Sequence, residues 1–229
     1  GSASSQPTLT VTAGAPRIHL DGFTLVDVTL LVDGGPLELH NVTMTSSEAE
    51  LGLGKAGRRL ETCDCDVCLS QQRRRTASSS PSLPALEVTG ATSDVVVSGT
   101  TIEGFSAGGI VLASGQLAVA DSVLRGNFAP TSGGALRVSG GRARVSATTF
   151  ESNGAAESGG ALQVDGSGVV ELGNRTAIVG NDAPTGASIQ FVDGSLSYSL
   201  PTPLGRWLLV SSGTLSTLEP TSIDADYPF

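Results

Sequence analysis

The chain has few aromatic residues, one lysine and no long apolar run. Aromatic residues make up 4% of its 229 residues, which argues against a broad core of large side chains. The single lysine is Lys55, and the formal net charge is −9, so we expect no nucleic-acid partner, which would need a basic face. No apolar run approaches the roughly 18 residues of a membrane-spanning helix. We therefore expect no transmembrane segment.

Helical periodicity is also nearly absent, and a repeat of about 25 residues takes its place. Each repeat has an apolar pair at i and i+2, glycine near i+4, a second apolar pair and one further apolar residue. The first pairs are Leu9/Val11, Leu30/Val32, Leu86/Val88, Val111/Ala113, Leu136/Val138, Leu162/Val164 and Ile189/Phe191. The second pairs are Ile18/Leu20, Leu37/Leu39, Val95/Val97, Leu117/Val119, Ala143/Val145, Val170/Leu172 and Leu196/Tyr198. The last five first pairs begin 25, 25, 26 and 27 residues apart.

This alternation is the period of a half-buried strand. It predicts an all-β solenoid, a single-stranded parallel β-helix of about seven rungs, in which each rung is one repeat of three short strands. At about 4.8 Å per rung the stack would be roughly 35 Å long. Glycine reaches positive φ without steric cost. We therefore expect positive φ at the corner glycines Gly34, Gly90, Gly115, Gly140 and Gly166.

A sharper motif follows the third strand of three rungs. An apolar residue stands three before asparagine in Leu124/Asn127, Phe150/Asn153 and Ile178/Asn181, and Gly133-Gly134-Ala135 and Gly159-Gly160-Ala161 follow the first two. Asparagine tolerates tight corners, and stacked amides can hydrogen-bond corner backbone from rung to rung. We therefore interpret Asn127, Asn153, Asn181, Gly133, Gly134, Gly159 and Gly160 as structural corner residues.

Phe150-Glu151-Ser152-Asn153 and the two Gly-Gly-Ala-Leu runs resemble the FxxN and GGA(I/L/V) repeats of the chlamydial polymorphic outer-membrane proteins. The wider class is the pectin-lyase-like right-handed β-helix. The resemblance is good over residues 108–181 and looser over 8–107. It implies a right-handed coil and, from the bacterial family, a surface adhesin.

The repeat is interrupted by one insertion and stops at residue 198. We place the β-helix at residues 1–198, with a flexible insertion at 45–84 on one corner and a C-terminal cap at 199–229. Pro201 and Pro203 are unsuited to a further central strand, and Trp207 could cover the open end of the core. The stretch from Leu200 to Trp207 also resembles the end of β-helix segments in large surface proteins of algae and other protists. That resemblance implies neighbouring modules in a larger parent chain, of which this chain would be a fragment.

The insertion carries the three cysteines, Cys63, Cys65 and Cys68, and the arginine run Arg73–Arg75. The thiolates are weak zinc candidates because no fourth ligand stands at a finger-like spacing. A local disulfide with one leftover thiol, or pairing to a missing part of the parent protein, suits an oxidising compartment. The arginines are a solvated charge run or a protease site. Two Asn-x-Thr sequons, at Asn41 and Asn174, are typical of a secreted or cell-surface glycoprotein.

Catalysis in such a solenoid requires stacked acids on one outer face. In the first strands, the side chains expected to point outward are those of Thr10, Leu31, Glu87, Leu112, Arg137, Gln163 and Gln190. In the second strands, the outward side chains are those of His19, Glu38, Val96, Ala118, Arg144, Glu171 and Ser197. Neither column clusters acids, and Arg144 with Glu171 is expected to be a surface ion pair. His19 and His40 stand alone and far apart in the chain, so we predict no catalytic set and no cofactor.

The sequence therefore predicts a non-catalytic extracellular structural or adhesion module that binds a surface protein or glycan over an extended face. The alternative is a carbohydrate-active β-helix enzyme, a polysaccharide lyase or glycosidase. A third possibility is binding to ice or a crystal surface. It rests on one outward column of the third strands: Thr24, Thr43, Thr101, Val123, Thr149 and Ala177.

Overall fold

The computed structural model describes residues 6–47, 83–173, 175–198, 208–210 and 214–217. Within these residues the chain forms strands, turns and loops and no helix. That part of the chain accordingly contains no helix long and apolar enough to cross a membrane.

Three large sheets contain most of the strands. The first sheet runs in the order β1 (Thr8–Thr12), β4 (Thr29–Asp33), β7 (Leu86–Val88), β10 (Ile110–Leu112), β14 (Leu136–Val138), β18 (Leu162–Val164), β21 (Ile189–Phe191) and β23 (Leu208–Val210). The second runs β2 (Ile18–Asp21), β5 (Pro36–His40), β8 (Asp94–Ser98), β11 (Gln116–Ala120), β15 (Arg142–Ser146), β19 (Val169–Leu172), β22 (Ser195–Tyr198) and β24 (Thr214–Thr217). The third contains β3 (Thr24–Val26), β6 (Thr43–Thr45), β9 (Thr101–Glu103), β12 (Val123–Arg125), β16 (Thr149–Glu151) and β20 (Ala177–Val179).

Successive strands of the chain fall in different sheets, and neighbours within each sheet are parallel. From β1 to β20 the chain passes through the first, second and third sheets in turn and then returns to the first, one strand further on. This stacking is consistent with a parallel β-helix, as predicted. A fourth, two-stranded parallel sheet pairs β13 (Phe128–Ala129) with β17 (Gly154–Ala155), and the sequence repeat did not predict it.

The core is built from the residues that alternate inward on each strand. All seven predicted second pairs occupy equivalent positions, as the chain of partners Ile18, Leu37, Val95, Leu117, Ala143, Val170 and Leu196 shows. Most inward residues are fully buried, as Leu37, Val95 and Val170 are at 0% exposure. Burial of such aliphatic side chains stabilises the stack by about 25 cal/mol per Å² of apolar surface.

One first pair was predicted in the wrong register. Ile110 and Leu112, and not Val111 and Ala113, point inward, and both are 0% exposed. Val111 is partnered with Arg137 in the outward column, where we had expected Leu112. The reason is a rung shortened by one residue, because Ile110 pairs with Leu86 and Leu136. A one-residue shift moves every side chain of a strand to the opposite face.

The C-terminal end also differs from expectation. β23 pairs with β21 and β24 pairs with β22, so the first two sheets each have eight strands among the described residues. A count of about seven rungs and a cap beginning at residue 199 are therefore not confirmed. Pro201, Pro203 and Trp207, on which the cap prediction rested, lie outside the described residues.

Two different structural requirements explain the glycines at the corners: positive φ and close approach of backbone. Gly34, Gly115 and Gly166 have φ of 86°, 87° and 58°, as expected. Gly90 and Gly140 do not have positive φ, and the prediction for them was wrong. A Cβ on Gly90 would lie 1.9 Å from the backbone nitrogen of Gly34, so close approach of two rungs excludes any side chain there.

The strands on either side of the predicted insertion pair directly with each other. Leu30 is the partner of Leu86, Leu37 of Val95, and Met44 of Ile102. The residues at both edges are also anchored, since Ser47 N donates to Asp27 Oδ1 at 2.7 Å and Thr29 Oγ1 donates to Pro84 O at 2.9 Å. Residues 48–82, with Cys63, Cys65 and Cys68, lie outside the described part of the chain.

Candidate binding face on the second sheet

The outward side chains of the second sheet lie in straight columns, polar at most positions and apolar at Val96, Ala118 and Ala120. Strand register places His19, Glu38, Val96, Ala118, Arg144, Glu171 and Ser197 in one column, as the sequence predicted. A parallel column contains Asp21, His40, Ser98, Ala120 and Ser146. Equivalent residues in neighbouring strands are about 4.8 Å apart. Side chains in these columns can therefore contact each other both along one strand and between neighbouring strands.

Two histidines meet at the β2 and β5 end of this face. The ring centroids of His19 and His40 are 4.8 Å apart, with the planes tilted by 34°. The expectation that these residues stand apart was wrong, because one repeat of chain separates them and brings them to neighbouring strands. Their position was readable from the outward column, which already placed His19 beside Glu38, with His40 two residues further on the same side of β5.

Glu38 is the centre of the contacts among these residues. Its Oε2 lies 3.2 Å from His19 Nδ1 and 3.8 Å from His40 Nε2. Its Oε1 accepts a hydrogen bond from the guanidinium of Arg17, which also lies 3.5 Å from the carboxylate of Asp94. We call His19, Glu38 and His40 the histidine–carboxylate cluster.

The hydrogen bond from Arg17 lowers the pKa of Glu38, and it outweighs the opposing effect of partial burial. A further hydrogen bond from His19 and the nearby charges of Arg17 and His40 act in the same direction. The same contact raises the pKa of Arg17, chiefly through the hydrogen bond to Glu38. Glu38 is therefore a carboxylate anion at neutral pH, with Oε1 directed to Arg17 and Oε2 directed to the imidazoles.

Ser98 on β8 contacts the other nitrogen of His40. Its Oγ lies 2.6 Å from His40 Nδ1, which leaves Nε2 facing Glu38. The order Ser98–His40–Glu38 resembles a nucleophile–base–acid line, which sequence reasoning did not foresee. The separation of 3.8 Å between His40 Nε2 and Glu38 Oε2 is longer than a hydrogen bond, so no hydrogen bond joins these two groups in the structure. The ligand atoms of the cluster lie within 4.8 Å of one another, a spacing that can accommodate a metal ion.

Ion pairs join neighbouring rungs elsewhere on the surface. Arg144 Nε lies 3.1 Å from Glu171 Oε2 and Arg142 Nε lies 2.8 Å from Glu171 Oε1, which confirms the predicted pair. On the third sheet Arg125 lies 2.7 Å from Glu103. Such exposed pairs contribute about 0–1 kcal/mol each. They fix the surface charge pattern more than the stability.

The third sheet has a second ordered face. Its register aligns Thr24, Thr43, Thr101, Val123, Thr149 and Ala177 in one outward column, the column on which the ice-binding hypothesis rests. The neighbouring column contains Val26, which is 50% exposed, but also Glu103, Arg125 and Glu151. Charged groups therefore interrupt this face along half of its length.

The three corner asparagines form a continuous ladder of amide hydrogen bonds. Asn153 Oδ1 accepts from both the backbone nitrogen and Nδ2 of Asn127, each at 3.1 Å. Asn181 Oδ1 accepts from the same two atoms of Asn153, at 2.9 and 3.0 Å. Each amide nitrogen also donates to a backbone carbonyl of the preceding rung, as Asn153 Nδ2 does to Leu124 O at 2.9 Å.

The ladder stops at Phe105, which occupies the asparagine position one rung earlier. Phe105 N donates to Asn127 Oδ1 at 3.1 Å, and its side chain is 1% exposed. Phenylalanine has no group that could extend the amide chain. The asparagines therefore join neighbouring rungs by hydrogen bonds. At the end of the ladder the buried ring of Phe105 makes apolar contact in place of those hydrogen bonds.

The double glycines that follow the asparagines lie where rungs approach most closely. Gly133 and Gly159 have φ of 73° and 62°. A Cβ on Gly134 would lie 2.3 Å from the carbonyl oxygens of Gly154 and Gly160, and one on Gly160 would lie 2.2 Å from Ala187 O. In each pair the first glycine provides the turn and the second permits the contact.

Of the two sequon asparagines, Asn41 lies at an exposed corner after β5. Its φ is 52°, and its Nδ2 donates to Asp21 Oδ1 at 3.2 Å. Asn174 lies outside the described residues. Glycosylation of either residue stays a prediction.

No family model, curated protein or solved structure matches this chain in the comparisons with known proteins.

Proposed function

We propose that the protein is a non-catalytic extracellular structural or adhesion module, built as a right-handed β-helix of the pectin-lyase-like kind. It binds a partner protein or glycan over an extended outer face. The observation that carries this proposal is the unbroken register of the second sheet, whose outward side chains align from β2 to β22. Seven strands spaced about 4.8 Å apart give a face roughly 29 Å long between β2 and β22.

The chemistry of this face suits recognition by shape and charge. Carboxylates and imidazoles lie at the β2 and β5 end, and Arg142 and Arg144 lie near the other end. A charge pattern of this kind orients a partner and accelerates encounter more than it adds affinity. The net charge of −9 favours a neutral or basic protein surface, or a glycan. Neighbouring modules of a longer parent chain would meet the same faces.

A flat face offers few deep pockets for buried anchor residues, so each copy should bind weakly. Linking several copies raises the effective concentration and can increase binding by roughly 100- to 10,000-fold without new contacts. We therefore expect weak binding of the monomer and strong binding of a tetramer to glycan arrays and to cell surfaces. Surface plasmon resonance with monomeric and streptavidin-tetramerised protein measures both.

Variants of the face identify the binding surface. Reversal of charge by Arg142→Glu together with Arg144→Glu should reduce tetramer binding, whereas Arg125→Glu on the third sheet should not. Tight binding of a small sugar by the monomer, without gain on tetramerisation, would contradict the proposal. So would release of unsaturated products from an anionic polysaccharide, or thermal hysteresis, which would favour the enzyme or the ice-binding alternative.

A further inference from the structure

We propose that His19, Glu38 and His40 form a binding site for a divalent transition-metal ion of the zinc, copper and nickel group. The site would lie on the outer face of the second sheet, at the meeting of β2 and β5. It is separate from the cysteines of the insertion, the residues that the sequence pointed to for metal.

The donor types match this group of ions. Two imidazoles and one carboxylate suit zinc, copper and nickel, whereas magnesium and calcium prefer sites made of oxygen ligands only. Both histidines of the chain belong to the cluster. No other group of three or more histidine, cysteine and acidic residues with metal-ligand spacing is found in the described residues.

The distances need little adjustment. Bonds of about 2.0–2.1 Å from zinc to nitrogen and oxygen in a tetrahedral site separate neighbouring ligand atoms by about 3.3 Å. Glu38 Oε2 already lies 3.2 Å from His19 Nδ1 and 3.8 Å from His40 Nε2. All three ligand atoms lie within 4.8 Å of one another. A shift of side-chain torsions alone can close the remaining gap.

The backbone under the cluster is held in place by the sheet. His19 and Glu38 are direct partners on adjacent parallel strands, and His40 is two residues beyond Glu38 on the same side of β5. β5 pairs on its other side with β8, so it is a central strand. Sites carried by paired strands are positioned more accurately than sites carried by loops.

Two surrounding residues orient the ligands. Ser98 Oγ lies 2.6 Å from His40 Nδ1, which leaves Nε2 as the nitrogen available to a metal. Arg17 occupies Oε1 of Glu38 and leaves Oε2 for coordination. A partner such as Ser98 fixes the ring orientation of its histidine and typically contributes about 10- to 100-fold to metal affinity.

The local charge also favours a cation. Glu38 is itself a carboxylate ligand, and Asp21 is the strand partner of His40. The carboxylate of Asp94 lies 3.5 Å from the guanidinium of Arg17. Arg17 is at the same time a competitor, since its positive charge lies beside the coordinating carboxylate. Three protein ligands leave a fourth coordination position open to solvent, where a group of a binding partner could coordinate.

Titration of the full chain with zinc chloride by isothermal calorimetry tests the proposal. The background is Cys63→Ser/Cys65→Ser/Cys68→Ser, which removes every cysteine and so excludes thiolate binding. We expect one zinc per chain. His19→Gln and His40→Gln should each weaken binding at least 10-fold, and Ser98→Ala should weaken it about 10-fold through misorientation of His40.

Two further variants separate coordination from general charge. Glu171→Gln removes an equivalent carboxylate from the same face and should leave zinc binding unchanged. Arg17→Gln should tighten it several-fold, a gain that a purely structural role of Arg17 would not produce. Circular dichroism confirms that each variant is folded. Absence of binding in the cysteine-free chain, or equal affinity of the His19→Gln and His40→Gln variants and that background, would overturn the proposal.

Discussion

Asn153 joins three successive rungs through one side chain. Its amide contacts Asn127 and Leu124 on one side and Asn181 on the other, and the residue is 2% exposed. Asn153→Ala would leave two donors of Asn127 without their acceptor and would remove one of the hydrogen bonds to Leu124 O. Unsatisfied buried groups cost about 1–3 kcal/mol each, with partial relief by rearrangement. We therefore expect the free energy of unfolding to fall by about 2–4 kcal/mol, measured by urea denaturation.

Asn153→Asp is the control of matched size for that prediction. It keeps the acceptor towards Asn127 but places a carboxylate oxygen against Leu124 O, where the amide donated. If hydrogen bonding is the cause, this variant should be destabilised as well. A neutral effect of Asn153→Asp would mean that side-chain volume, and not the amide ladder, supports this corner.

The hydrogen bonds of the Asp27 carboxylate make the stability of one corner of the molecule depend on pH. Burial raises the pKa of Asp27, but hydrogen bonds from Ser47 Oγ at 2.5 Å, Ser47 N at 2.7 Å and Ser46 Oγ at 3.2 Å outweigh it, so that the pKa is lowered overall. The folded pKa then lies below the unfolded value of about 3.9. The stabilisation is complete above the unfolded pKa and disappears as the pH falls through the folded pKa.

Asp27→Asn should therefore reduce the free energy of unfolding by about 1 kcal/mol at pH 7. Denaturation of parent and variant between pH 7 and pH 2 should show the difference shrinking on acidification. A difference that stays constant with pH would contradict the assigned role of the carboxylate. Asp33→Asn, at the end of β4, is the comparison for nonspecific charge effects, because the described residues show no hydrogen bond to the carboxylate of Asp33.

Individual elements show how far the sequence could predict this structure. The second strands were predicted in correct register because their apolar pairs are flanked by clear glycine corners. The segment Ile110–Leu112 was not, because three consecutive apolar residues fit either alternation and only the register with Leu86 and Leu136 decides between them. Alanine precedes three of the first strands, at Ala85, Ala135 and Ala161, and this pattern could have indicated that Gly109 takes the same place before β10.

The histidine–carboxylate cluster was missed for a different reason. His19 and His40 were compared by distance along the chain, whereas in a stacked repeat distance is set by rung and column. The contact between Ser98 and His40 depends on side-chain torsions, which a sequence pattern does not determine. The predicted column itself, with His19 next to Glu38, was correct.

The segment between β6 and β7 should be dispensable for folding. Strands on both sides of it pair directly, and the next rung connects its third and first strands through residues 104–109 only. Deletion of residues 48–82, with a Gly-Ser link between Ser47 and Leu83, leaves a connection of similar length. We expect the β-sheet circular dichroism spectrum and the melting transition to be retained.

The same deletion extended to remove Ser46 and Ser47 is the matched variant, because it also removes the hydrogen bonds to Asp27. It should melt at a lower temperature than the shorter deletion. Unfolding of the shorter deletion would show that residues 48–82 take part in the core of the fold.

At the scale of the whole molecule, the stack should tolerate the loss of one complete rung. Leu136 and Leu162 are direct partners, so deletion of residues 136–161 joins Ala135 to Leu162 in an equivalent position. Asn127 would then stand next to Asn181, and the amide ladder could re-form. Repeat proteins have roughly additive stabilities of units and interfaces, so we expect a folded protein with a lower melting temperature.

Deletion of half a rung, residues 136–148, is the contrasting variant. It would place β16, a strand of the third sheet, where a strand of the first sheet belongs. This deletion should therefore abolish the cooperative melting transition followed by circular dichroism. If both deletions behaved alike, the three sheets would not be formed by repeated passes of the chain.

The asparagine ladder finally implies an order of assembly during translation. Asn127 requires Asn153, which lies 26 residues later in the chain, and Asn153 in turn requires Asn181. At roughly 5–20 residues per second, the ribosome needs about one to five seconds to supply each following rung. Closing a short loop takes roughly 10–100 ns and forming a β-hairpin about 1–10 μs; pairing of parallel strands one rung apart is slower. A rung that docks before the next one emerges therefore leaves a pair of amide donors, on Asn127 and then on Asn153, that the next asparagine of the ladder satisfies.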